Sequence, residues 1–213
     1  MSFFVNTLFD DPFTYLAWVG VVMFSICLHE FSHAHVAYKM GDDTAYLTGH
    51  HSLNPMVQMG PASLIMLFLF GIAWGAVPVS LARLRDARAR ATVAFAGPAS
   101  NLLLSLVFGF MLALGTAIGA GIHILRFAQI GCFANAVLFF FNLLPVPLLD
   151  GWSVFSLFIP ALRSLHPARA QQISWIFIAL VFLTPLAGLI WGGGAWLSGL
   201  IVGAWARFFA FIF

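Results

Sequence analysis

The chain has 213 residues, 62% of them hydrophobic and only 8% charged, and its mean hydropathy is +1.01. Soluble domains carry about 25% charged residues, so most of this surface has to face lipid and a soluble globular domain is excluded. A formal net charge of +2, with no basic aromatic stretch, gives no basis for nucleic-acid binding. The first eleven residues hold two Asp and no Lys or Arg, so they lack the charged start of a cleavable signal. Cys27 and Cys132 both lie in apolar runs and read as small packed hydrophobes rather than a disulfide.

The first apolar run, about residues 13–37, predicts a membrane span and holds His29-Glu30-Phe31-Ser32-His33 near its C-terminal end. Residues four apart share a helix face, so the histidines of this H-E-x-x-H pattern can point at one metal ion. Glu30 can then reach water at that ion as a general base. Ionisable groups in a span cost about 2.5–3.5 kcal/mol each on insertion scales and usually mark function. His29, Glu30 and His33 have no local Lys or Arg partner, and a divalent cation supplies one. Lys39 and Gly41 close the helix.

Residues 42–60 form the most polar stretch, with Asp42, Asp43, Tyr46, Thr48, His50, His51, Asn54 and Gln58. Gly49, Pro55 and Gly60 make it a poor helix, so short β elements are expected around residues 45–48. Residues 61–79 are apolar again but are interrupted by Pro61, Gly71, Gly75 and Pro78. Arg83, Arg85, Arg88 and Arg90 then face a single acid, Asp86, as in a solvated cytoplasmic loop. Residues 94–121 make a clear span, in which Gly109, Gly115 and Gly119 suit close helix packing. His123 and Arg126 follow in a short turn. The span over about residues 127–149 ends in Asn142-Leu143-Leu144-Pro145-Val146-Pro147-Leu148-Leu149-Asp150-Gly151. Two prolines two apart cannot sit in a regular helix interior. This end is therefore unwound, which a membrane tolerates only where backbone lines a cavity or is buried in protein. Residues 152–170, with Arg163, His166 and Arg169, are amphipathic and belong near the interface. Residues 173–190 form a further span and residues 195–213 a last one, although Arg207 and several glycines interrupt it.

A catalytic zinc usually takes three protein ligands and keeps one position open. Candidates for the third are His35, His50, His51, His123, Asp42, Asp43 and Asp150. His35 is two residues from His33 and points to another helix face. Asp42, Asp43, His50 and His51 lie in a polar loop where solvation explains them, and His123 sits in a turn. Asp150 stands out because it follows a broken helix end and precedes Gly151. It reads equally as a helix-terminal carboxylate at the membrane surface.

Five motifs occur in order: His29-Glu30-x-x-His33, Leu53-Asn54-Pro55, Val77-Pro78-Val79, Ala96-Gly97-Pro98-x-x-Asn101 and Asn142-x-x-Pro145-x-Pro147-x-x-Asp150-Gly151. Over about residues 20–160 the chain resembles the site-2 protease family of intramembrane zinc metalloproteases. The resemblance implies one zinc ion held by His29, His33 and Asp150, with Glu30 as general base. It also implies that Asn142 lies near the reacting centre and helps to hold substrate or stabilise the oxyanion. Two positions depart from the family pattern. Gln58-Met59-Gly60-Pro61 replaces a common His-x-Asp-Pro, and Gly75-Ala76 stands where many members carry a Lys. Neither removes a ligand or the base. The chain has no room for the PDZ or CBS domains of longer members.

The expected fold is an all-α polytopic membrane protein of about five to six transmembrane helices. It would be one integral-membrane domain over residues 1–213, with a catalytic core at about 13–160 and C-terminal helices at about 171–213. The expected activity is hydrolysis of a peptide bond in or near a transmembrane segment of another protein, inside a prokaryotic inner membrane. A metal transporter, a non-cutting relative that binds membrane segments and a purely structural membrane protein are the competing readings. For the ends of two spans to share one zinc, both helices must cross in the same direction. Residues 61–79 are therefore expected to enter and return on one side, as a re-entrant segment. Lys39, the Arg83–Arg90 cluster, Arg163 and Arg169 then fall on the cytoplasmic side, with Arg126 opposite and the zinc nearer the cytoplasm.

Overall fold

The computed structural model describes residues 4–212. A single 3-10 turn (Phe4–Asn6) and the short helix α1 (Thr7–Asp10) lead into the first long helix, α2 (Pro12–Lys39). At its start the Asp11 carboxylate accepts the Thr14 N–H, and Pro12 opens the first turn. At its far end Gly41, at φ +98°, turns the chain away.

The polar stretch that follows folds into two single-turn helices, α3 (Thr44–Leu47) and α4 (Pro55–Gln58), and no strand forms among the described residues. The expectation of short β elements around residues 45–48 is thus corrected. Pro55 and Gly60, read as helix breakers, instead open α4 and α5. Asp42 accepts the Thr44 N–H, and Asn54 accepts the Met56 N–H ahead of Pro55.

Helix α5 (Gly60–Phe70) stops at Gly71, whose φ of +71° is left-handed, and residues 72–80 return in non-helical form. The resulting hairpin lies along α2. Its tip is held by the Tyr15 hydroxyl donating to the Phe68 carbonyl (2.9 Å) and the Trp18 indole donating to that of Gly71 (2.9 Å). Its return limb is fastened where Ser63 Oγ meets Trp74, where Ala76 N–H donates to the Gln58 carbonyl (3.0 Å) and where Ser80 N–H donates to Asp42 (2.6 Å). Both limbs therefore start and finish beside the C-terminal end of α2.

Helix α6 (Ala87–Ala117) is capped by Asp86 and extends two turns further into the Arg-bearing stretch than expected. Helix α7 (Ile122–Asn142) ends before the prolines, and residues 143–149 are irregular, as Pro145 and Pro147 require. Helix α8 (Asp150–Phe155), a 3-10 turn (Pro160–Ser164) and α9 (Pro167–Leu183) follow, and α10 (Leu186–Ile212) closes the fold. The span expected over residues 173–190 is broken. Pro185 cannot continue α9 and pushes Thr184 into an extended conformation (φ −132°, ψ 170°). Among the described residues α2, α6, α7 and α10 are long and apolar enough to cross a membrane, fewer than the five to six expected. This is an integral membrane protein.

Helix directions follow from contacts at both ends. Arg126 at the start of α7 pairs with Asp11 and donates to Thr14 Oγ1 (2.6 Å), while the His123 ring packs at a tilt against Phe13. Beyond the other end of α7, Asp150 meets His29 and His33 of α2. Helices α2 and α7 therefore run the same way. Helix α6 runs against them, with Val93 beside His33 and Phe108 against Phe127. The core between these helices comprises Val19, Val22, Ile26, Leu67, Phe108, Cys132 and Ile201, and both cysteines are buried and free.

Candidate metal centre

His29 and His33 occupy successive turns of α2, and both are buried. Their Nε2 atoms lie 3.0 Å apart. Asp150 Oδ2 lies 3.1 Å from His29 Nε2 and 3.3 Å from His33 Nε2. The unwound stretch 143–149 delivers this carboxylate, and Gly151 allows the delivery. A Cβ on Gly151 would run into the Leu143 carbonyl.

The far side of each imidazole has a partner. His33 Nδ1 donates to the Val93 carbonyl (2.7 Å), and His29 Nδ1 lies 2.6 Å from Asn101 Oδ1. A backbone carbonyl only accepts, so the His33 proton sits on Nδ1 and the Nε2 lone pair is free. Val93 adjoins Ala94, whose carbonyl loses its usual partner because Pro98 has no N–H.

Glycines set the clearances. A Cβ on Gly97 of α6 would overlap Nε2 of both histidines, so only glycine leaves an open space where the three donors meet. A Cβ on Gly75 would come within 2.5 Å of Glu30 Cγ and Oε1, so the return limb of the α5 hairpin lies directly on the Glu30 carboxylate. Glu30 is itself buried.

A curated relative matches most of this chain. YwhC of Bacillus subtilis, named as a zinc metalloprotease, is 35% identical over 182 residues, which cover 81% of this chain and 82% of its own. The chain belongs to peptidase family M50. The family's sequence pattern matches residues 115–186 directly. Two further M50 relatives carry the name zinc metalloprotease Rip2. That of Mycobacterium tuberculosis is 32% identical over 202 residues (87% of this chain, 76% of its own), and that of Mycolicibacterium smegmatis is 31% identical over 194 residues (82% and 72%). No solved structure matches the chain. As an M50 protein it is a metalloendopeptidase of the site-2 protease type, and its family implies zinc.

The donor set fits that ion. Two nitrogens and one carboxylate oxygen are ordinary zinc ligands. With bonds of about 2.0–2.2 Å at tetrahedral angles, such ligands stand about 3.3–3.6 Å apart. The observed separations of 3.0–3.3 Å lie at or a few tenths of an ångström below the lower end of this range. No other group of three His, Cys, Asp or Glu donors with this geometry occurs among the described residues.

The other candidates for third ligand are engaged elsewhere. His35 pairs with His51 (3.3 Å), His50 with Thr48, Asp42 with Thr44 and Ser80, Asp43 with Arg83, and His123 with Phe13. Asn142 is the last residue of α7, and its amide donates to the Leu138 carbonyl one turn back (3.0 Å). Gln58, at the first departure from the family pattern, is buried. Its amide ties down the carbonyls of His50 (2.8 Å) and Ser52. Gly75 and Val93 were not singled out as site residues from the sequence. Only the weak helix character of residues 71–78 hinted at the first, and nothing in the side chain of Val93 could reveal that its carbonyl is used.

Proposed function

We propose that this chain is a zinc-dependent intramembrane endopeptidase that cuts a peptide bond in or near a transmembrane segment of another membrane protein, as in regulated intramembrane proteolysis. The observation that carries this reading is the convergence of Asp150 on His29 and His33, beside Glu30, on a helix long enough to cross a bilayer. His29 and His33 would hold the zinc through Nε2 and Asp150 through Oδ2. Zinc bound there supplies Lewis acidity, polarising the scissile carbonyl and acidifying water.

Glu30 is the general base. Its carboxylate takes a proton from the attacking water and delivers it to the leaving amine nitrogen. The backbone at Gly75 packs on this carboxylate, which limits its rotamers and keeps bulk water off it. Asn142, at the end of α7, would hold substrate or the developing oxyanion once a substrate strand lies in the site. A substrate helix has to unwind first, because its carbonyls are tied up in hydrogen bonds. The polar stretch from Asp42 to Gln58 is the route for water.

In the membrane, the α5 hairpin would be re-entrant. Its helix of 11 residues spans about 16 Å, well short of a bilayer core of about 30 Å. Lys39, Arg83, Arg85, Arg88, Arg90, Arg163 and Arg169 then share the cytoplasmic side of a prokaryotic inner membrane, and the zinc lies nearer that face. Arg126, on the far side, is paired with Asp11. The domain is a single one over residues 1–213, with its catalytic core at 13–160 and lipid and a transmembrane protein as its partners. The test is cleavage of labelled single-span substrates in vesicles. Zinc-loaded protein should cut, and Glu30→Gln should keep zinc and not cut. Equal cleavage by the two proteins, or none by either across a broad panel, would refute the reading.

A further inference from the structure

Asn135 lies in the middle of α7, two turns before Asn142, and is completely buried. A buried carboxamide in a membrane span often serves only to join two helices. Here its bonds have a direction that can be followed residue by residue. Asn135 Nδ2 donates to the Gly131 carbonyl of its own helix (2.9 Å). That carbonyl can only accept, so the amide cannot be turned over, and Asn135 Oδ1 must face α6. There it accepts from Asn101 Nδ2 (3.1 Å). With its nitrogen committed, Asn101 presents Oδ1 to His29 Nδ1 at 2.6 Å. Two acceptors cannot face each other, so the His29 proton sits on Nδ1 and the Nε2 lone pair points at Asp150 and His33. Turned over, Asn101 would offer N–H to Nδ1, the ring proton would move to Nε2, and His29 could no longer ligate.

We propose that Asn135 is a positioning residue of the metal centre, fixing the proton on His29 Nδ1 through Asn101. The proposal rests on the zinc reading above. His33 needs no such relay, because a backbone carbonyl orients it directly. His29 instead faces a side-chain amide, which is free to flip unless something beyond it holds it. Partners of this kind are typically worth about 10–100-fold in metal affinity.

The test is zinc affinity, measured by chelator competition on the full chain in four forms: unaltered, Asn135→Leu, Asn101→Asp and the double variant. Asn135→Leu should weaken zinc about tenfold or more. A carboxylate at position 101 accepts from His29 whichever way it is turned. In the Asn101→Asp background, adding Asn135→Leu should therefore cost less than about a third of that factor. Unchanged affinity in Asn135→Leu, or the same loss in both backgrounds, overturns the proposal, because a merely structural Asn135 gives the second result. Should Asn135→Leu fail to fold, histidine ring-nitrogen NMR on the unaltered chain decides. His29 Nδ1 should carry a proton with and without zinc, and an unprotonated Nδ1 refutes the relay. Failure of the zinc reading itself is distinct. The unaltered chain would then bind no stoichiometric zinc, while the NMR measurement on the zinc-free protein would still judge the relay.

Discussion

Two histidine pairs lie at the C-terminal half of α2, one wholly on the helix and one joining it to the polar stretch that follows, at nearly the same nitrogen separation and with opposite geometry. In His35–His51 the nitrogens are 3.3 Å apart, the ring centroids 5.5 Å, and the planes differ by 14°. That centroid distance is close to the largest the nitrogen separation permits, so each nitrogen points straight at the other and the pair shares an N–H···N bond. In His29–His33 the nitrogens are 3.0 Å apart, the centroids only 4.6 Å, and the rings stand 80° to one another. Both lone pairs lean toward a third point, where Asp150 waits. The surroundings differ as well. Phe31, Tyr38 and Tyr46 pack around His51, whereas the distal nitrogens of His29 and His33 are held by Asn101 and Val93. Proximity of imidazoles does not make a metal site. Convergence of their lone pairs, enforced from behind, does.

The bluntest way to break this contrast is to remove one ring at a time. His29→Ala, His33→Ala or Asp150→Ala should take zinc from one ion per chain to almost none and cleavage to background, as read by metal analysis of purified protein. His35→Ala and His51→Ala should each keep one ion. Loss of zinc from His35→Ala would mean that the second pair had been misjudged. Glu30→Gln separates holding the metal from using it. It should retain zinc while turnover falls about 10²–10⁴-fold, the usual worth of a general base. Near-normal turnover would remove Glu30 from the chemistry.

A gentler probe fills the space in front of the converging pair. Gly97→Ala puts a methyl group against both Nε2 atoms and should lower zinc affinity, whereas Gly203→Ala, which faces open space, should not. Comparable affinities in the two variants would show that the centre has room to spare. The smallest effect concerns Asp42, which joins the end of α2 to the return limb of the hairpin. Burial pushes its carboxyl up, but hydrogen bonds from Thr44 and the Ser80 N–H, together with Arg83, outweigh this and hold it below the usual range. A depressed carboxyl contributes stability in full above its unfolded pKa of about 3.9 and loses it as pH falls through the lower folded value. Melting of the detergent-solubilised protein should therefore drop by a few degrees more between pH 6 and 3 than in Asp42→Asn. Parallel curves would remove this linkage.

The long elements were legible because hydropathy and punctuation agree. Gly41 follows the end of α2, and the prolines after Asn142 stop α7. The His29–His33 pair was visible for the same reason, since helix periodicity alone puts both on one face. Short polar segments take their form from side-chain bonds that periodicity does not encode, so a helical turn begun beside Asp42 stands where a strand was expected around residues 45–48. Thr184-Pro185 lay unnoticed inside an apolar run and divided one expected span. Val93 contributes only its backbone, and Asn135 is one polar letter among hydrophobic neighbours. Their roles emerge only once α6 and α7 are packed against α2.

The parallel course of α2 and α7 has a consequence for how the protein is made. Two of the three donors reach the membrane early in synthesis, while the carboxylate arrives only after α6 and α7 have been threaded, more than half a chain later. A nascent chain halted before residue 150 possesses the base and both imidazoles, yet has no closed site for an ion. Under the proposed ligand set, metal capture waits on the threading of α6 and α7, while α10 still follows residue 150. On that proposal zinc would bind only the assembled form and would draw the equilibrium toward it by mass action. A ribosome-bound fragment cannot become a protease ahead of its own scaffold.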